Sequence, residues 1–281
     1  MEATATATAA PPPSPLVTAR PYRLRVPVGY DPAHPAPLLV LLHGYGSSGA
    51  ELESFFSAAS LADSKGVFVA IPDGTKDGAG KRFWNATDAC CNFGNAKVDD
   101  VAYLVALLDD VAARHAIDPK RVFLVGHSNG GYFAHRAACE RAERIAGIVS
   151  IAGMTWKDAS KCTPSAPVAV AQIHGDADSV VHLDGGHIRD DPSRPEYPSA
   201  RETVAGWAAK DHCTGPLARA DTALDLDPQL AGAETTIERA TGCPAGAAAE
   251  LWTVHGMGHM PRASPAWGEA VWGFCAAHGR N

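Results

Sequence analysis

The sequence predicts an α/β fold built on a mostly parallel central sheet with helices on both faces. Continuous apolar runs such as Pro37–Leu42 and Val168–Ile173 are typical of strands that are covered on both faces. Apolar residues at helical spacing occur between such runs, as in the segment from Val101 to Val111. Strands that alternate with helices form parallel sheets, whose ligand sites lie at the carboxyl ends of the strands.

The length and composition favour one domain. The chain has 281 residues, of which 46% are hydrophobic, enough for one substantial core. We expect a single domain over residues 20–281. Residues 1–19 are rich in Ala, Thr and Pro, and since this composition cannot bury a core we expect a disordered N-terminal linker there.

The elements that support this fold follow in chain order. An alternating edge strand begins at Tyr22, and the buried run at 37–42 comes next. The patterns then predict a helix over 51–62, a strand over 67–71, a long loop over 73–97 and a helix that Asp99 and Asp100 begin. Further along, they predict a strand at 122–125, a helix to 141, strands at 145–151, 168–173 and 251–254, and an amphipathic helix over 266–278.

The charge balance argues against two classes of partner. The formal net charge is −7, from 24 basic and 31 acidic residues, and the sequence has no basic cluster. We therefore expect neither a nucleic-acid groove nor an anionic membrane surface as partner. No apolar run approaches the about 18 residues that would indicate a membrane span.

The cysteine content predicts disulfides and a secreted protein, extracellular or periplasmic. None of the seven falls in a CxxC pair, and the odd count leaves at least one thiol unpaired within the chain. Since a bridge between neighbours is strained, we expect Cys90 and Cys91 each to have a distant partner. The alternative is that several are buried free thiols. The opening residues have no basic start and no leucine-rich segment, so we expect that a signal peptide is absent from this chain.

The segment RVFLVGHSNGG contains a GxSxG motif between the strand at 122–125 and the next helix. Small residues at Gly126 and Gly130 allow a strained turn that exposes the hydroxyl of Ser128 at a helix N-terminus. Partial positive charge there favours a developing oxyanion. Ser128 is therefore our candidate nucleophile, and a glycine-rich turn with an incidental serine is the alternative.

Two further segments supply partners for this serine. A serine hydroxyl needs a histidine to take its proton and a carboxylate to orient that histidine, in the chain order Ser, acid, His. Asp178 follows the strand at 168–173 and is our candidate acid, with Asp176 as runner-up and Asp184 third. His259 lies in the loop after the last strand and is our candidate base, since His255 is too close to that strand's end.

Two backbone N–H groups should stabilise the oxyanion, one just after the nucleophile and one from a loop after an earlier strand. The amides of Asn129 and Tyr45 are the candidates, with an ordinary glycine-rich turn as the alternative for the Tyr45 loop.

The long loop at 73–97 carries aromatic residues, and we assign Trp84 to the wall of a substrate cleft, with a packing role as the equal alternative. No trio of histidines has metal-ligand spacing, so we expect no metal.

The chain resembles the polyhydroxybutyrate-depolymerase and feruloyl-esterase group, the secreted LpqC-like proteins, and is similar to carbohydrate esterase family 1. The resemblance rests on LLVLLHGYGSSG, FWNATDACCNFGNAKVDDVAYL, IDPKRVFLVGHSNGGYFAHRAAC, QIHGDADSVVHLDGG and LWTVHGMGHMP. It implies an α/β-hydrolase fold without a large lid domain. It also implies Ser128 as nucleophile, Asp178 as acid, His259 as base, and a disulfide between Cys213 and Cys243. Family members often carry a tryptophan soon after the histidine, whereas Met260 stands here and we assign it, with Tyr45, to substrate binding.

We therefore expect a monomeric serine ester hydrolase that works without a cofactor, on small-molecule or oligomeric esters. The expected substrates are short-chain, hydroxyalkanoate or polyester, and feruloyl-type esters. Since His259 must be neutral to accept a proton, activity should fall as the pH drops. The alternatives are a serine amidase or peptidase, an acyltransferase, and a non-catalytic binding module on the same fold.

Overall fold

A nine-stranded sheet forms the centre of the molecule in the computed structural model, which describes residues 11–280. The strands are β1 (Arg23–Arg25), β2 (Ala36–Leu42), β3 (Phe68–Ile71), β4 (Thr75–Lys76), β5 (Arg82–Phe83), β6 (Ile117–His127), β7 (Gly147–Ile151), β8 (Ala169–Gly175), β9 (Leu217–Leu224), β10 (Thr235–Ala240) and β11 (Ala248–Val254). The helices are α1 (Pro15–Ala19), α2 (Gly49–Phe55), α3 (Ala58–Lys65), α4 (Asp100–Arg114), α5 (Asn129–Glu140), α6 (Ala200–Lys210) and α7 (Pro265–Ala277). Within residues 11–280, no helix is long and apolar enough to cross a membrane.

The sheet order is β1-β3-β2-β6-β7-β8-β11-β10-β9, and β4 pairs with β5 in a separate hairpin. The six strands from β3 to β11 in this order are mutually parallel. At one edge β1 pairs antiparallel with β3, and at the other end β10 pairs antiparallel with both β11 and β9. Apolar clusters cover both faces of the sheet. This confirms the predicted α/β-hydrolase architecture, and no large lid domain is present within residues 11–280.

The N-terminal segment differs in part from the predicted linker. Residues 1–10 lie outside the described residues. Residues 15–19 form α1, because Ser14 accepts a hydrogen bond from the Val17 amide, Pro15 starts the helix, and Val17 is buried. The prediction of disorder is therefore wrong for α1.

The predicted helix over 51–62 is two helices. The break falls at Ser57, whose φ of 47° lies in the left-handed region and ends the run of helical hydrogen bonds. α6, β9 and β10 have no counterpart in the predicted elements. β9 alternates weakly and is mostly exposed, which removes the apolar signal that marks the central strands.

The cysteine pairing confirms one expectation and corrects another. Cys213 pairs with Cys243, as the family resemblance implies, and Cys139 pairs with Cys162. Cys90 and Cys91 pair with each other across a cis peptide bond, so the prediction that each has a distant partner is wrong. Both are buried where no other cysteine reaches them, since the remaining described cysteines form the two other pairs or, like Cys275, are buried and free.

Candidate active site

Ser128 occupies the turn between β6 and α5. Its backbone has φ 52° and ψ −120°, a conformation that residues with a side chain rarely adopt. A Cβ on Gly126 would lie 2.2 Å from the carbonyl oxygen of Gly130, and one on Gly130 would lie 1.9 Å from that of Leu42. Only glycine fits at these two positions, so close packing of α5 against the sheet holds the serine in its strained turn.

The three residues proposed from the sequence as nucleophile, base and acid lie in one hydrogen-bonded line. His259 Nε2 is 3.0 Å from Ser128 Oγ, and His259 Nδ1 is 2.7 Å from Asp178 Oδ2. A carboxylate can only accept, so the ring donates its Nδ1 proton to Asp178 and its Nε2 lone pair faces the serine hydroxyl. This is the arrangement in which an imidazole can take the proton of a nucleophile.

Asp178 is held as an anion. Its side chain is buried, which by itself raises the pKa, but hydrogen bonds from His174, His259 and the Val181 amide outweigh burial and hold the pKa well below its usual range. Asp178 Oδ1 accepts from the amides of Val180 and Val181. The carboxylate is therefore both ionised and fixed in orientation.

Asp176, the runner-up acid, belongs to a second pair. Its Oδ2 is 2.8 Å from His255 Nδ1, and His255 Nε2 is 3.1 Å from the hydroxyl of Thr236. Both members are partly exposed, with His255 51% and Asp176 38% accessible. This pair is not joined to Ser128. Asp184, the third candidate, is exposed.

His127 ties the His259 loop to the serine turn. His127 Nε2 is 2.9 Å from the carbonyl oxygen of His259, and because a carbonyl only accepts, the ring donates its Nε2 proton. Burial and the nearby His259 ring lower the pKa of His127 to about 4, so it stays neutral near pH 7. The sequence places this residue inside the GxSxG motif but gives no sign of its role.

The oxyanion candidates sit beside Ser128. Asn129 is the first residue of α5, where the backbone N–H has no partner inside the helix. Tyr45 follows β2 and lines the same cavity as Ser128. Buried His43 holds the start of the Tyr45 loop in place with two hydrogen bonds. Its Nδ1 donates to the carbonyl of Gly44, and its Nε2 accepts from the Gly74 amide.

Trp84 does not line the cavity, so its assignment to a cleft wall is wrong. It is completely buried, stacks on Phe133 with ring centroids 5.3 Å apart, and donates from Nε1 to the carbonyl of His43. Its backbone N–H and carbonyl both bond to the Asn129 side chain. The packing alternative applies, and through these bonds Trp84 contacts both segments that carry the oxyanion candidates.

Ser128 and His259 open into a cavity of about 740 Å³. Tyr45 and Met260, the substrate-binding candidates, line it, and Phe93 adds a second aromatic ring, 5.5 Å from that of Tyr45. The disulfide of Cys90 and Cys91 forms part of the wall, which the sequence does not reveal because it depends on the pairing.

The charged side chains that line this cavity are all basic: Lys81, Arg189 and Arg194. Arg194 pairs with Asp191 and lies 3.9 Å from the Phe93 ring centroid. Within residues 11–280 no group of three or more His, Cys, Asp and Glu side chains is arranged to hold a metal ion.

A comparison with protein families matches residues 28–189 to the family described as phospholipase/carboxylesterase. Among curated proteins, the candidate esterase NocK of Nocardia uniformis subsp. tsuyamanensis is 31% identical over 252 residues, which cover 85% of this chain and 70% of that protein. Feruloyl esterase B of Piromyces equi is 28% identical over 240 residues, covering 84% of this chain and 42% of that protein. The chain thus spans less than half of the second relative.

Two solved structures show the same fold along most of their length. An acetyl xylan esterase from Aspergillus awamori superposes with a TM-score of 0.62 at 15% identity, covering 91% of this chain and 93% of that one. Esterase PE8 superposes with a TM-score of 0.58 at 17% identity, covering 90% and 97%. At these identities the likeness concerns the fold alone.

Proposed function

The chain belongs to the phospholipase/carboxylesterase family and is a carboxylic ester hydrolase, and from that premise we propose that it is a serine esterase working through Ser128, His259 and Asp178. The observation that carries this proposal is the hydrogen-bonded line of 3.0 Å and 2.7 Å that joins these three side chains at the carboxyl end of the sheet. Both contacts are within the reach that proton transfer requires.

In the proposed reaction, His259 takes the proton of Ser128 as the hydroxyl oxygen attacks the ester carbonyl. The Tyr45 and Asn129 amides would stabilise the resulting oxyanion, and removing one such donor typically costs about 3 kcal/mol of transition-state stabilisation. The C–O bond of the ester then breaks, and His259 gives its proton to the departing alcohol. Water, deprotonated by the same ring, releases the acid from Ser128.

The proposed substrates are soluble esters of short, hydroxyalkanoic or hydroxycinnamic acids. Tyr45, Phe93 and Met260 give the cavity an aromatic and apolar side, and Phe93 and Met260 are 47% and 70% exposed at its mouth. Such surfaces bind alkyl chains and aromatic rings. The relative named feruloyl esterase B supports the aromatic branch.

We also propose that the protein works outside the reducing cytosol. The described residues contain three disulfide pairs. Disulfides persist in oxidising compartments and are rare where thiols are kept reduced.

Hydrolysis of p-nitrophenyl acetate, p-nitrophenyl butyrate, methyl ferulate and a hydroxybutyrate trimer tests this proposal, with the parent compared to Ser128→Ala. We expect the parent to cleave at least one ester and the variant to lose about 10³-fold or more of kcat. The preferred substrate identifies the branch. Equal activity of parent and variant would contradict the serine mechanism. An anilide that shares the best acyl group separates esterase from amidase activity.

A further inference from the structure

A chain of polar side chains runs through the core behind the candidate triad. It consists of Trp207 on α6, His135 on α5, and Gln172 and His174 on β8. All four are buried, with exposures of 1% or less, and none of them lines the catalytic cavity. Buried polar groups are costly unless their hydrogen bonds are satisfied, and a satisfied network fixes the arrangement of its members.

Each link of this chain has hydrogen-bond length. Trp207 Nε1 is 2.9 Å from His135 Nδ1, and His135 Nε2 is 3.0 Å from Gln172 Oε1. Gln172 Nε2 is 3.3 Å from His174 Nδ1. Gln172 and His174 are two residues apart on one strand, so their side chains share a face of the sheet.

Trp207 sets the direction of the chain. An indole N–H can only donate, so His135 Nδ1 must accept. Burial lowers the pKa of His135 to about 4, and the neutral ring therefore carries its single proton on Nε2, which it donates to Gln172 Oε1. The amide NH₂ of Gln172 is then the group that faces His174 and donates to its Nδ1.

The last link reaches the carboxylate of the candidate triad. Because His174 Nδ1 accepts, the neutral ring has its proton on Nε2, 2.7 Å from the carbonyl oxygen of Val181 and 3.4 Å from Asp178 Oδ2. The same Oδ2 accepts from His259 Nδ1. In the opposite tautomer, a lone pair of His174 would face two acceptor oxygens and repel them.

We propose that Trp207, His135, Gln172 and His174 form a one-way hydrogen-bond chain that fixes the tautomer of His174 and thereby positions Asp178 against His259. The four are positioning residues, and the proposal rests on the proposed function because it assigns them to the same triad. It extends the site from the surface of the cavity to α6, which packs against β8 and β11.

The first test compares His174→Leu with His174→Gln in the kcat/KM against pH profile for p-nitrophenyl butyrate. Without the His174 N–H, Asp178 Oδ2 interacts more strongly with protonated His259, so the acid limb should move up by about one pH unit and kcat should fall about tenfold. The amide of His174→Gln can donate from nearly the same place and should restore the parental profile. A folded His174→Leu protein with the parental acid limb would overturn the proposal.

The second test is a double-mutant cycle with Gln172→Met, which keeps the length of the side chain and removes its hydrogen bonds. Gln172→Met and Trp207→Phe should each shift the acid limb in the same direction by a smaller amount. Because both act through His174, neither should add a shift in the His174→Leu background. Full additivity, or no shift in either folded single variant, would overturn the chain. If His174→Leu does not fold, the acid limbs of Gln172→Met and Trp207→Phe alone test the proposed chain.

A third readout needs no turnover. The proton shared by His259 and Asp178 is followed by NMR in the parent, Ser128→Ala, Gln172→Met and His174→Leu proteins. The proposal predicts that its signal moves in the two chain variants and stays in Ser128→Ala. An unmoved signal in folded chain variants defeats the chain, whereas a moved signal together with full activity of Ser128→Ala defeats the proposed function and leaves the chain standing.

Discussion

Two His–Asp pairs arise from the same two loops, and a small difference in position separates them. The side chains of Asp178 and His259 are 0% and 15% exposed, and this pair is hydrogen-bonded to Ser128 through His259. Asp176 and His255 form a pair of nearly the same length at the surface, where water screens the interaction. The local sequence HGDAD offers both acids, so only their burial and their direction distinguish them.

The matched pair Asp178→Asn and Asp176→Asn tests this distinction. An asparagine at 178 can present its NH₂ to His259 and stabilise the wrong tautomer, so kcat should fall by about 10³ to 10⁴-fold. The asparagine at 176 should leave kcat within about twofold of the parent, since its pair does not reach Ser128. Initial rates on p-nitrophenyl butyrate measure both. A larger loss at 176 than at 178 would assign the acid to the other pair.

At the scale of elements, the junction between α6 and β8 contains a buried acid. Asp211 ends α6, accepts from the Val168 amide through Oδ1, and is fully buried. Its Oδ2 has no hydrogen-bond partner within the described residues. Burial raises the pKa of Asp211 to about 7, only partly offset by the Val168 hydrogen bond.

Asp211 should therefore make the protein less stable as the pH rises. The folded pKa lies above the unfolded value of 3.8, so the folded state keeps a proton that the unfolded state releases, and the free energy of unfolding falls between about pH 4 and 7. Asp211→Asn removes this loss. The difference in free energy of unfolding between the variant and the parent should therefore grow in favour of the variant by about 2 to 4 kcal/mol from pH 4 to pH 8. Urea unfolding at both pH values measures the gain.

The control for this comparison is Asp225→Asn, since Asp225 is exposed. Its stability difference from the parent should be the same at both pH values. If the stability difference between Asp211→Asn and the parent is the same at pH 8 as at pH 4, Asp211 is ionised in the folded state at little cost in free energy.

The sequence predicts some elements of this fold well for a physical reason. Strands β2, β6, β7 and β8 are covered on both faces, and that burial requires the continuous apolar runs that mark them. The serine turn is equally readable, because packing at Gly126 and Gly130 excludes any side chain. β9 and β10 escape prediction because they form the antiparallel end of the sheet, with β9 at its edge, and most of their side chains are exposed or half-buried.

Other features depend on contacts between distant segments and have no local signal. Trp84 is a core residue because Phe133 and the Asn129 side chain meet it across the fold. His135 and Gln172 are 37 residues apart, and the sequence does not show that they bond. The one available sign is that Gln172 and His174 interrupt an apolar strand at a spacing of two.

For the molecule as a whole, the charge lining the cavity beside Ser128 is opposite in sign to the net charge of the chain. The net charge is −7, yet the charged residues lining the cavity are Lys81, Arg189 and Arg194. Within the described residues, neither Lys81 nor Arg189 has a carboxylate at ion-pair distance. A cavity lined by charges of one sign concentrates or repels charged ligands.

Cationic esters should accordingly be poor substrates. We expect kcat/KM for butyrylcholine to be several-fold below that for dimethylbutyl butyrate, its uncharged carbon isostere, at low ionic strength. The gap should narrow at about 0.5 M salt, where screening is strong. Arg189→Gln should narrow it as well. Equal rates for the two esters at low salt would show that these basic side chains do not act on the bound ester.

The central claim, that Ser128 is the nucleophile of an acyl-transfer site, is tested most directly by covalent trapping. Diethyl p-nitrophenyl phosphate reacts with an activated serine to form a stable phosphoryl adduct with release of p-nitrophenol. We predict one adduct per chain, found by mass spectrometry on the peptide that contains Ser128, with loss of esterase activity in proportion. Inactivation with the adduct on another residue, or persistent esterase activity after Ser128 is fully labelled, would contradict the account.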